Sequence, residues 1–214
     1  IVSNAAGTQV TSSGALLGVY GLPVITGPFD QNATVGTNVT LDVNATSTTT
    51  LAYQWQEDTN GSYVDIADGN ASSLTLTDVN ATHAGNYRVI VSNANVPNSD
   101  VNGSALLGVY GLPVITGPFD QNATVGTNVT LDVNATGATA YQWQEDSNGS
   151  FVDIGGATDG NYTAANVQLA DHNNTYRVIV SNAAGTQVTS SGALLGVYGL
   201  PVITGPFDQN ATVG

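Results

Sequence analysis

The chain repeats itself, and the repeat constrains its fold more tightly than any other feature of the sequence. Residues 15–46 recur without change at 105–136, and residues 1–36 recur without change at 179–214. The offsets, 90 and 178 residues, are the size of one small domain and of two. Two similar modules therefore make one full period, at 21–110 and 111–198. Residues 1–20 are expected to be the closing strands of a preceding module, and 199–214 the opening strand of a following one. The chain starts and stops in mid-module. This predicts either a window on a longer periodic array or a subunit whose ends are completed by its neighbours, because unpaired terminal strands would leave backbone groups and apolar faces exposed.

Within a module, apolar residues alternate with polar ones, and Gly, Pro, Asn and Asp punctuate the runs. That pattern predicts short antiparallel strands with one dry face and one wet face. Val39, Leu41 and Val43 point one way, while Asn38, Thr40, Asp42 and Asn44 point the other. Further strands are predicted at 53–56, 74–76, 87–91 and 105–110, with no helical stretch between them. Seven or so strands in about 90 residues predict an all-β fold of tandem sandwiches.

Composition narrows the partners. Hydrophobic residues make up 41% of the chain, enough to give each module a core. Sixteen Asp and Glu stand against two Arg and no Lys, for a net charge of -14. Nucleic-acid backbones and anionic membrane surfaces both demand cations, so neither is an expected partner. The longest apolar run, at 105–115, is too short to span a bilayer and is broken by Gly and Pro, so no membrane insertion is expected in this segment. No basic, apolar leader opens the chain, which places any signal peptide outside these residues. There is no cysteine.

Particular residues resemble a known fold. The ValThrLeuAspVal run, Trp55 and Trp143 within TyrGlnTrpGln, and TyrArgValIleValSerAsn together resemble the B, C and F strands of the immunoglobulin fold. The similarity is to the cysteine-free immunoglobulin-like repeats of bacterial and archaeal surface proteins. It covers essentially the whole chain and implies tandem sandwiches arranged as an extended rod. It also implies that Tyr87 and Tyr176 form the tyrosine corner, and that Val43 and Val89, with Val133 and Val178, replace the usual cysteine pair. Losing a disulfide costs about 2–5 kcal/mol, while burying each valine contributes about 1.5–3 kcal/mol, so a valine pair packed on tryptophan offsets much of the loss. The position four before the corner tyrosine, usually Asp, reads as His83 in one module and His172 in the other.

Fourteen asparagines stand in Asn-x-Ser/Thr sequons: Asn32, Asn38, Asn44, Asn60, Asn70, Asn80, Asn102, Asn122, Asn128, Asn134, Asn148, Asn161, Asn173 and Asn210. The chain has 22 Asn and about a fifth of its residues are Ser or Thr, so chance would supply roughly four. Duplication explains Asn122, Asn128, Asn134 and Asn210. It does not explain Asn80 and Asn173, which build sequons near the same corner from different residues, nor Asn70, Asn102 and Asn161 in divergent stretches. Covalent N-glycans are the expected modification; an Asn-rich surface multiplied by duplication is the alternative.

Other chemistry is sparse. Glu57 with Asp58, Asp65 with Asp68, and Asp30 are the carboxylates a calcium ion would use, but no Asp-x-Asp-x-Asp-Gly pattern gathers them, and a solvated acidic surface is preferred. No other cofactor is expected. His83 and His172 give each module one histidine without a second metal ligand. No nucleophile motif accompanies them, and Glu57 and Asp58 share one turn and do not face each other across a sugar. No catalytic residue is assigned, and the chain is not expected to be an enzyme. Trp55 and Trp143 are expected in the core and not stacked on carbohydrate. Arg88 and Arg177 read as solvated, with contacts between modules or filaments as the alternative.

Only Gly and Leu separate the last tyrosine of one module from the proline that opens the next, in ValTyrGlyLeuProValIle. Proline restricts so short a linker. Tyr20, Tyr110, Phe29 and Phe119 are expected to pack where neighbours touch. The expected function is a structural segment of an extracellular filament, stalk or fibre at a cell surface. Its partners would be identical modules or subunits end to end, with other filaments alongside. The alternative is an adhesin binding a glycan or protein through its loops, with a binding loop expected at 93–100, which differs from its counterpart at 182–187.

Overall fold

The computed structural model describes residues 1–15, 17–18, 20–93, 96, 100–146 and 148–205. A short hairpin opens the chain, β1 (Val2–Ser3) against β2 (Gln9–Val10).

The first sandwich follows. Its strands are β3 (Val24–Thr26), β4 (Gln31–Thr34), β5 (Val39–Asp42), β6 (Asn44–Thr46), β7 (Leu51–Thr59), β8 (Ser62–Asp65), β9 (Ser73–Leu76), β10 (Gly85–Asn93) and β11 (Val101–Tyr110). One sheet has the order β4-β11-β10-β7-β8, and the opposing layer consists of the pairs β3-β6 and β5-β9. The second sandwich has β12 (Val114–Thr116), β13 (Gln121–Thr124), β14 (Val129–Asp132), β15 (Asn134–Thr136), β16 (Ala140–Asp146), β17 (Phe151–Asp153), β18 (Asn161–Ala164), β19 (Thr175–Ser181), β20 (Gln187–Thr189) and β21 (Ala193–Tyr198). Its larger sheet runs β13-β21-β19-β16-β17, with β20 also on β19, opposite the pairs β12-β15 and β14-β18. β13 and β21 are parallel, Gln121 to Thr124 lying opposite Leu195 to Tyr198.

The alternation in the sequence becomes the alternation of faces. Val39, Leu41 and Val43 are buried, while Asn38, Thr40, Asp42 and Asn44 are exposed. Trp55 and Trp143 lose all exposure and lie opposite Val89 and Val178 on neighbouring strands. Each indole N–H donates to a main-chain carbonyl, Ala71 at 3.0 Å and Asp159 at 2.9 Å, so no buried donor is left unpaired. Tyr87 and Tyr176 are also buried; Val133 is half-buried at the edge of the second core. The second core carries a tilted aromatic chain, Trp143 to Tyr162 to Tyr176, whose middle ring is replaced by Leu74 in the first sandwich.

The opening strand of each module leaves one layer for the other at Gly27-Pro28 and Gly117-Pro118, both cis. Gly27 and Gly117 have φ of 86° and 87°, and a Cβ would sit 2.9 Å from the Asp42 carbonyl oxygen or 3.0 Å from that of Asp132. Both the dihedral and the close carbonyl disfavour a side chain there.

Two compact units can be separated. Ile1–Gln31, Val39–Leu76 and Gly85–Leu107 make the first; Asn32–Asn38, Thr77–Ala84 and the chain from Gly108 onward make the second.

Candidate functional site: a surface of exposed sequons

The thirteen sequon asparagines among the described residues are all exposed; Asn210 lies outside them. Asparagine outside sequons behaves differently. Asn4, Asn86 and Asn166 are exposed, but Asn93, Asn174 and Asn182 are buried.

Local structure places the sequons in several ways. Asn38 directly precedes β5 and Asn44 opens β6, as Asn128 precedes β14 and Asn134 opens β15, and all four are exposed. Asn44 lies opposite Thr26, Asn134 opposite Thr116, and Asn161 opposite Asp132. Asn38 and Asn128 use their side-chain carbonyls to accept the amides of Asp78 and Asn166, at 3.0 and 2.8 Å. Asn60 and Gly61, both at positive φ, form the tight β7–β8 turn, closed by the Gly61 N–H donating to Asp58 Oδ1 at 2.7 Å. Asn80 caps a 3-10 turn, Ala81–His83, and its Oδ1 accepts both the amide and the hydroxyl of its own sequon threonine, Thr82.

The buried asparagines brace the frame. Asn93 and Asn182 are equivalent residues at the ends of β10 and β19. Each donates Nδ2 to the glycine carbonyl that leads into its own sandwich, Gly21 at 3.2 Å and Gly111 at 2.9 Å. Asn174 Nδ2 and the Tyr176 hydroxyl converge on Glu145 Oε1, at 2.6 and 2.8 Å. Nothing in the sequence pattern marked these three apart from the sequon positions except the missing Ser or Thr.

Several expected roles change. Tyr176 does not close a corner on the main chain, because its hydroxyl donates to Glu145 Oε1. Burial, and then that hydrogen bond, hold its phenol well above the ordinary value of 10.0. Burial and Glu57 raise Tyr87. His83 and His172 are not equivalent. His83 Nδ1 accepts the Asn80 amide across the 3-10 turn; at the same place in the second sandwich, Asp171 Oδ2 accepts the Gln168 amide. One extra residue in the second corner, where Asn173 takes φ of 73°, shifts His172 past that position. His172 Nδ1 instead accepts the Val197 amide at 3.0 Å, and its ring packs edge-on against Tyr198. The acid was present one position earlier, hidden by counting back from the tyrosine.

Arg88 and Arg177 are half-buried and are not lone charges. Each guanidinium lies over an aromatic ring, Tyr63 at 4.0 Å and Phe151 at 3.8 Å, and donates to Gln56 or Gln144. Those glutamines donate in turn to Asp65 and Asp153. A relay of Asp, Gln and Arg thus crosses three adjacent strands in both sandwiches. Among the described residues no three His, Asp or Glu side chains converge as metal ligands. Asp30 and Asp58 accept the Leu106 and Gly61 amides instead. Phe29 and Phe119 remain 69% and 67% exposed. The 93–100 loop lies largely outside the described residues, with only Asn93, Val96 and Asp100 within them.

Residues 23–93 match the family model described as Immunoglobulin domain. The fold is immunoglobulin-like. Residues 116–198 match a second model, described as Domain of unknown function (DUF8696). Among solved structures, extracellular domains 3–5 of Drosophila OTK superpose on 91% of this chain and 68% of that one, with TM-score 0.58 and 21% identity. The I-band fragment I67-I69 from titin superposes on 84% and 66%, with TM-score 0.56 and 16% identity. Endoglucanase C of Cellulomonas fimi is 28% identical over 192 residues, which cover 86% of this chain but 17% of that protein. The chain thus spans about a sixth of the length of this curated relative. The immunoglobulin-like sandwiches here do without the cysteine pair, since the chain has no cysteine.

Proposed function

We propose that this chain is a non-catalytic structural segment of an extracellular, N-glycosylated filament, stalk or surface fibre of prokaryotic origin. The observation that carries it is the partition of asparagine among the described residues: all thirteen sequon residues are exposed, and the buried asparagines all lie outside sequons. A glycan can be attached only where the side-chain amide reaches solvent. An Asn-rich sequence without modification has no reason to keep its buried asparagines out of sequons. The near-identical modules add support, since a quasi-one-dimensional array takes its stability from each unit and its neighbours. The short linker with its proline favours an extended, end-to-end arrangement.

Native material analysed by intact mass and by glycopeptide mapping tests the modification: hexose-bearing Asn is expected at the exposed sequons, and unmodified Asn throughout would remove the proposal's main support. Mass under denaturing conditions separates two forms of the array. A giant chain stays very large, whereas a polymer assembled by strand donation falls to subunits.

A further inference from the structure

The chain contains the pentapeptide AsnAlaAlaGlyThr twice, at 4–8 and 182–186. It closes the same turn both times. Asn4 Oδ1 accepts the Ala6 and Thr8 amides at 3.0 Å each; Asn182 Oδ1 accepts those of Ala184 and Thr186 at 3.0 and 2.9 Å. Only the surroundings differ. The first copy is fully exposed, whereas Asn182 retains 2% of its exposure.

What covers the second copy is a sequon. Within the second compact unit, Asn32 Nδ2 donates to the Ala183 carbonyl at 3.3 Å. The Thr34 and Thr186 hydroxyls are 2.6 Å apart, and Asn182 Nδ2 reaches Thr34 Oγ1 at 3.1 Å. Asn32 and Thr34 are the first and third residues of one Asn-x-Thr triplet. The nitrogen that would carry a sugar and the hydroxyl that defines the sequon are therefore both engaged by the turn. Thr34 is itself buried.

The same triplet recurs as Asn122, Ala123 and Thr124, inside a stretch identical from 105 to 136. There Asn122 is exposed and Thr124 half-buried, and neither Asn122 Nδ2 nor the Thr124 hydroxyl has a hydrogen-bond partner among the described residues. Local sequence is constant between the two sites, so any difference in modification must come from the fold.

We propose that Asn32 is a masked sequon: a glycan there and a seated 182–186 turn exclude one another, so occupancy at Asn32 reports and sets whether the turn is docked. The inference rests on the glycosylation reading above. A sugar on Nδ2 would replace one of its two hydrogens and occupy the space in front of the Ala183 carbonyl. The turn, already closed by its own hydrogen bonds, would leave as an intact unit, in the form the 4–8 copy takes.

Site occupancy in the native protein tests this. The identical stretches would give indistinguishable short peptides, but arginine occurs only at 88 and 177 and lysine nowhere. Denaturation and cleavage after arginine put Asn32 and Asn122 in separate fragments, which are then isolated and digested further. Occupancy at Asn32 is expected to be lower than at Asn122 by at least about tenfold, the equivalent of one net hydrogen bond that must be broken to admit the sugar. Asn182→Ala, which unseats the turn, should raise Asn32 toward the Asn122 level and leave Asn122 unchanged. Equal occupancy at the two sites in the native protein, or no rise in the variant, overturns the masking. Sugar at neither Asn122 nor the other exposed sequons overturns the glycosylation reading, and the masking with it.

Discussion

Trp55 and Trp143 lie opposite Val89 and Val178, the valines that stand where the second cysteine of the usual pair would be, and each is the largest fully buried side chain of its sandwich. Trp143→Ala is expected to cost about 3–5 kcal/mol, read as a lowered denaturation midpoint, because the cavity is too large for neighbouring valines to close. Tyr176 makes a second prediction at the same scale. Its phenol loses its proton near pH 10 in the unfolded chain, but only at higher pH in the folded one, where it is buried and donates to Glu145. The unfolded state therefore releases its proton first, and stability present at neutral pH is lost as pH rises above about 10. Tyr176→Phe should be less stable at neutral pH by about 1–3 kcal/mol, having lost a hydrogen bond to a charged group. Its denaturation midpoint should then fall less steeply than that of the parent above pH 10.

Strands were largely legible, because alternation along a half-buried strand leaves a period-two record. Leu51–Thr59 and Gly85–Asn93 extend the predicted 53–56 and 87–91 at both ends, and Trp55 lands opposite Val89 as a core pair. What sequence could not supply depends on pairing across the sheet. The Asp65, Gln56 and Arg88 relay joins three strands whose registers appear only on folding, and Arg88 alone reads as a surface charge. The His83 comparison failed for a similar reason: one extra residue in a corner shifts the numbering without shifting the cap. The opening strand's change of layer was hidden too, since Gly-Pro says turn but not where the chain goes next. Gly117→Ala tests that element. The residue would be held at positive φ with its Cβ against the Asp132 carbonyl, and a loss of at least about 1–2 kcal/mol is expected in a denaturant titration of the two-module unit.

The whole molecule is acidic, with a net charge of -14 and both arginines capped by aromatic rings. Copies should repel one another, so raising the ionic strength is expected to strengthen any lateral association of the proposed filaments, measured by sedimentation. Removing the proposed glycans enzymatically should lower solubility in the same assay if sugars, and not charge alone, keep copies apart. The proposed array also fixes how tension would reach each module. In the second sandwich the incoming strand β13 and the outgoing strand β21 lie side by side and run the same way. A pull on the two chain ends draws them in opposite directions along their length, so the rungs from Gln121 to Thr124 bear the load together in shear and do not open one at a time like a zip.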